Sequence, residues 1–167
     1  SYYQLAVPEI LNLCKLISDI GGPELADFGL GQRVSPTALR YLKVALEIRE
    51  KNGFNLGNVV EIGCGYGGQA LILSALCNIK SYLFVDMWQV NLLIQRFVEC
   101  SEFNVPYSCK TIRQIPATAD LDLVISNYAF SEFNSKLQTI CLNNIITKSR
   151  AGYMTMNHGK VGDEDGE

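Results

Sequence analysis

Hydrophobic spacing changes character near residue 58. Before that point the apolar positions follow a helical period. Ile10, Leu13, Cys14, Ile17 and Ile20 predict a helix over residues 5–20, stopped by Gly21-Gly22-Pro23. Residues 24–33 carry glycines and read as loop. Ser35-Pro36 then supplies an N-cap and a first-turn proline. Leu39, Leu42 and Leu46 give the following helix an apolar stripe, and Asn52-Gly53 end it.

After residue 58 short β-branched and aromatic runs alternate with helical patterns. Strands are expected at 59–62, 81–86, 107–112, 121–126 and 151–156, with helices at 68–77, 90–97 and 137–145. Alternation of this kind builds a parallel sheet with right-handed crossovers. The link from the third strand to the fourth is short, with only residues 113–120 and Pro116 among them. A reversal of strand order there needs roughly 22 Å, and eight extended residues reach about 26 Å. The connection is therefore taut and has no room for a full helix. The expected order is 3-2-1-4-5, with helices on both faces of the sheet.

Composition narrows the classes. The chain has 167 residues, 48% apolar and 19% charged, as a globular domain does. Net charge is −3 with no basic run, so no nucleic-acid partner is expected. No apolar stretch approaches the roughly 18 residues of a membrane span, and no signal-peptide pattern is visible. Six cysteines at wide spacing, without a CxxC and with one histidine, give no zinc pattern and suit reduced, mostly buried thiols. A cytoplasmic location and no metal are expected, and oligomeric state is not readable.

The informative stretch is Val59-Val60-Glu61-Ile62-Gly63-Cys64-Gly65-Tyr66-Gly67-Gly68, placed where a strand meets a helix. Glycines there permit a sharp turn and close approach of a ligand to backbone N–H groups at a helix N-terminus. Gly63, Gly65 and Gly68 also fit a dinucleotide fingerprint, with Asp86 near the required distance. Glu61, two before the first glycine, suits a cationic ligand better than a pyrophosphate. The pattern resembles motif I of the class I S-adenosylmethionine-dependent methyltransferases.

Three blocks, residues 35–41, 61–69 and 122–132, together resemble a family of sugar O-methyltransferases over roughly residues 30–158. The resemblance implies a Rossmann-like class I methyltransferase fold, α/β, with S-adenosylmethionine as cofactor. It implies cofactor binding by Glu61, Gly63, Cys64, Gly65, Tyr66, Gly67, Asp86 (on the ribose hydroxyls), Met87, Ser126, Asn127 and Arg40, with Trp88 over the adenine or in the core. Tyr128, Glu132 and His158 are the candidate catalytic residues. Tyr128 also reads as a half-buried aromatic, and Glu132 as a helix N-terminal charge. His158 is the one side chain of suitable pKa range for a general base toward a sugar hydroxyl, or else a solvated residue.

The expected function is O-methylation of a small-molecule acceptor, a sugar or glycoconjugate. Alternatives are an NAD(P)-dependent oxidoreductase and a non-catalytic cofactor-binding domain of the same fold. Residues 1–57 are expected to pack on the sheet as a helical segment, 58–158 to bind the cofactor, and 159–167 to form a polar tail. The family's final β-hairpin has no counterpart in the tail, so the chain is expected to be a fragment with an open edge on its fifth strand.

Overall fold

The computed structural model describes residues 7–18, 21–115 and 120–157. The two N-terminal helices are α1 (Val7–Ser18) and α2 (Pro36–Asn52). Ser35 takes extended backbone angles before Pro36, and Gly53 closes α2 with its N–H on the Arg49 carbonyl. Between the helices, the segment expected to be loop contains a small antiparallel pair, β1 (Ala26–Asp27) and β2 (Arg33–Val34). Strands of two residues leave no period-2 signal, which is why the pattern did not show them.

The main sheet has five parallel strands: β3 (Asn55–Ile62), β4 (Asn78–Val85), β5 (Tyr107–Lys110), β6 (Leu121–Asn127) and β7 (Ser149–Thr155). Their order is β5-β4-β3-β6-β7, the expected topology. Both β3 and β4 start earlier than their apolar runs, because Asn55–Asn58 and Asn78–Ser81 pair across an irregular register. At that irregularity Gly57 has φ +68°, and the carboxylate of Asp122 accepts from the Asn58 N–H at 2.8 Å. Arg150 pairs with the same carboxylate at 3.0 Å.

The intervening helices are α3 (Gly68–Leu76), α4 (Trp88–Glu99), α5 (Ala129–Glu132) and α6 (Ser135–Asn144). The described start of the link after β5 holds a 3-10 turn, Ile112–Gln114, closed by reciprocal Thr111 and Gln114 bonds.

Alternation along the strands splits the core in two. Val59, Tyr82, Phe84, Leu123 and Ile125 pack against α1, α2, α3 and α4. Val60, Ile62, Val85 and Val124 pack against Cys141 of α6 and Ile145. Each fully buried aliphatic side chain of this kind contributes about 1.5–3 kcal/mol. The N-terminal helices share the first core with the sheet, and α2 packs mainly against α1 and α3. The six thiols are unpaired. No helix among the described residues is long and apolar enough to cross a membrane.

Candidate functional site

Strand order reverses at β3, which pairs with β4 on one side and β6 on the other. In open α/β sheets ligands settle beyond the carboxyl ends at such a point. A cavity of about 810 Å³ opens there. It is bounded by Gly63 and Gly65 after β3, Asp86–Val90 after β4, Thr111–Arg113 after β5, and Asn127–Ala129 with Glu132, Phe133 and Leu137 after β6. Its size falls in the range of small-molecule sites.

The glycine turn divides its work. Gly63 has φ +74°, its N–H bonds the Val85 carbonyl at 2.9 Å, and an added Cβ would stand 2.0 Å from the Ala129 Cβ. This glycine is needed for packing β3 against the start of α5. Gly65 has φ +55° and nothing within 4 Å of an added Cβ, and it is exposed to the cavity. Gly67, left-handed at φ 98°, caps α3. Gly65 is thus the point where backbone is bare toward a ligand.

Asp86 directly follows β4 and lines the cavity. Its carboxylate accepts from Gly65 N–H at 3.3 Å and Met87 N–H at 2.8 Å. A carboxylate offers about four acceptor positions, so capacity remains for two further donors. Met87 and Trp88 are exposed on the rim, so Trp88 is not core.

Tyr128 carries φ +73°, the only positive φ outside glycine among the described residues. Such a conformation costs on the order of 1–3 kcal/mol and persists where neighbours enforce it. Here the Thr155 carbonyl accepts from Tyr128 N–H at 2.8 Å, and the Tyr128 carbonyl accepts from Ser131 Oγ at 2.6 Å. The ring lines the cavity, and the Arg40 guanidinium stands 5.8 Å from its centroid and 5.3 Å from that of Tyr41. Glu132 also lines the cavity, and its Oε1 accepts from Asn157 Nδ2 at 2.9 Å.

Six of the expected cofactor residues do not bound the cavity. Glu61 is 2% exposed, and its Oε2 accepts from the Tyr82 hydroxyl at 2.8 Å. Strand alternation turns it into the first core, away from the opening. Burial pushes its carboxyl up to about 8, helped by the nearby Asp86 charge and opposed by the Tyr82 hydrogen bond. Cys64 is buried with its thiol on the Glu61 carbonyl at 3.0 Å, and burial raises its pKa. Tyr66 packs edge-on against Tyr41 and Phe97. Ser126 is 0% exposed, its hydroxyl donating to the Ile62 carbonyl at 3.2 Å and accepting from Phe130 N–H at 3.2 Å. Gly67 and Arg40 likewise stand outside the boundary, the latter through Tyr128 alone. His158 and the polar tail 159–167 lie outside the described residues.

Gln69 was missed as a site residue in the sequence. It is 0% exposed, with Nε2 donating to the Tyr41 carbonyl at 3.1 Å and Oε1 accepting from Asn127 Nδ2 at 3.4 Å. A lone amide in the otherwise apolar run 68–73 was the available signal.

No family model and no curated protein matches the sequence. Solved structures do match. A methyltransferase from Methanococcus maripaludis, assigned to the S-adenosyl-L-methionine-dependent class, superposes with TM-score 0.61 at 16% identity, over 94% of this chain and 67% of its own. An S-adenosylmethionine-dependent methyltransferase from Clostridium acetobutylicum gives 0.57 at 12% identity, over 71% of this chain. The fold is the Rossmann-like methyltransferase fold. The N-methyltransferase NodS from Bradyrhizobium japonicum, solved with S-adenosyl-L-homocysteine, gives 0.53 at 19% identity, over 68% of this chain and 57% of its own. The chain spans half the length of the Clostridium structure. None of these three is described as acting on a sugar.

Within this methyltransferase fold the cavity holds the expected Gly63, Gly65, Asp86, Met87, Asn127, Tyr128 and Glu132. Glu61, Cys64, Tyr66, Gly67 and Ser126 build the scaffold under it.

Proposed function

We propose that the chain binds S-adenosylmethionine in the 810 Å³ cavity and transfers its methyl group to a hydroxyl of a sugar or sugar-containing metabolite. The observation that carries the cofactor is the pairing of Gly65, bare of side chain, with the Asp86 carboxylate across the mouth of one turn. A carboxylate with spare acceptor capacity suits a vicinal diol. The sulfonium, when bound, supplies a methyl group already activated for displacement. The acceptor class rests on the resemblance of residues 35–41, 61–69 and 122–132.

The protein's own contribution is alignment and exclusion of water. Asp86, Gly65 and Met87 hold one end of the site. Tyr128 and Glu132 stand on the β6 side, where an acceptor hydroxyl would be oriented. Arg40, over the Tyr128 ring, brings the start of α2 near that side. His158, just beyond Asn157, is the residue assigned as general base, taking the hydroxyl proton as the oxygen attacks.

Incubation with methyl-labelled S-adenosylmethionine and a panel of free and nucleotide-linked sugars tests this reading. Label transfer to a sugar supports it. Transfer only to amines or RNA, or none to any acceptor, removes the sugar assignment.

A further inference from the structure

We infer that Gln69 is a positioning residue, which sets the amide of Asn127 in one orientation toward the cavity and couples it to α2. The inference rests on the cofactor reading above for its ligand-binding consequence. Its basis is the direction of a hydrogen-bond relay. The Tyr41 carbonyl can only accept, so the group facing it at 3.1 Å must be the Gln69 nitrogen. That choice turns Gln69 Oε1 to Asn127, 3.4 Å away, where only an N–H can answer. Asn127 Nδ2 therefore points inward, and its Oδ1 faces Thr155, whose hydroxyl donates at 3.4 Å. One backbone carbonyl of α2 thus fixes the polarity of three side chains in series, on α3, β6 and β7.

The relay crosses the point where the strand order reverses, and Asn127 is its only member on the cavity wall. With one N–H and one lone pair engaged, the Asn127 amide keeps a second N–H and a second lone pair for a ligand. Gln69 is wholly buried, so an inverted amide would find no water to satisfy it. The anchor residue also reaches the site indirectly, since Tyr41 packs against Arg40, and Arg40 against Tyr128, which lines the cavity. A shift of α2 would then be felt at Asn127 as well as at Tyr128.

The test uses Gln69→Met, which keeps the volume and removes both bonds. S-adenosylhomocysteine is titrated calorimetrically, thermal unfolding is followed, and the Asn127 side-chain amide resonances are recorded by NMR, assigned by their loss in Asn127→Asp. The expected result is displaced Asn127 resonances and affinity weakened about tenfold, as for an amide whose buried partner is lost. A folded variant with unmoved resonances, or with affinity within twofold of the parent, overturns the inference. If the parent itself does not bind S-adenosylhomocysteine, the cofactor reading fails and the resonances alone decide the relay. If Gln69→Met does not fold, Thr155→Val at the half-buried outer end is read in the same way.

Discussion

Gly63 and Gly65 stand two residues apart in one turn, and alanine at each should fail differently. At Gly63 an added Cβ meets the Ala129 Cβ at 2.0 Å with φ +74°. The left-handed backbone costs about 1–2 kcal/mol for a residue with a Cβ. Overpacking adds about 1–3 kcal/mol. The sum is roughly 2–5 kcal/mol, and at about 2–4 °C per kcal/mol for a chain of this size, Tm should fall by roughly 10 °C. At Gly65 the Cβ meets nothing within 4 Å and φ is +55°, so only the backbone cost applies. Gly65→Ala should lose roughly 2–8 °C, yet place a methyl where the cofactor backbone contact belongs. Circular-dichroism melts and S-adenosylhomocysteine titration, run on both variants, separate the two roles. A Gly63→Ala variant as stable as the parent would rule out the packing role, and a Gly65→Ala variant that binds with parental affinity would rule out the binding role.

Three further outcomes are expected. Glu61 has a folded pKa raised from 4.5 to about 8, so the native state holds a proton that the unfolded chain releases across that window. That contribution is present in full below the unfolded value and is lost as pH rises toward 8, by up to about 1.4 kcal/mol per pH unit. The groups around it are Tyr82, Asp86, Tyr41 and Cys64. Glu61→Gln should flatten the decline, and urea stabilities that fall equally from pH 6 to 8 in variant and parent would contradict this. Gly57→Ala puts a Cβ 2.2 Å from Asp122 Oδ2 and should lower stability by a few kcal/mol, roughly 2–5 by the same sum, seen as a lower urea midpoint. His158→Ala should leave S-adenosylhomocysteine affinity within twofold while turnover falls about a hundredfold, and unchanged turnover would remove the base role.

Strand order and helix placement were legible because each depends on a period. The carboxyl ends of strands, and so the location of Gly63, Asp86 and Asn127, followed from that alone. Side-chain direction did not follow from the motif. Period-2 alternation puts Glu61 on the same face as Val59, in register with Phe84 and within reach of the Tyr82 hydroxyl, toward the helical core, whereas motif spacing alone suggested a ligand contact. Cys64, Tyr66 and Ser126 share this lesson, since adjacency to a glycine turn does not decide which side of it a residue supports. Tyr128's positive φ had no signal, because one of the bonds that hold it comes from Thr155, distant in sequence. The relay through Gln69 depends on four elements meeting and is visible only in three dimensions.

On the function proposed above, the turn between β3 and α3, with Asp86, is a cofactor site for a sulfonium nucleoside. Calorimetric titration of S-adenosylhomocysteine and of NAD into the protein, repeated with Asp86→Ala, decides the matter. One S-adenosylhomocysteine should bind per chain, the substitution should weaken binding at least about tenfold, and NAD should give no heat. Binding of NAD at micromolar levels with no response to S-adenosylhomocysteine would contradict it.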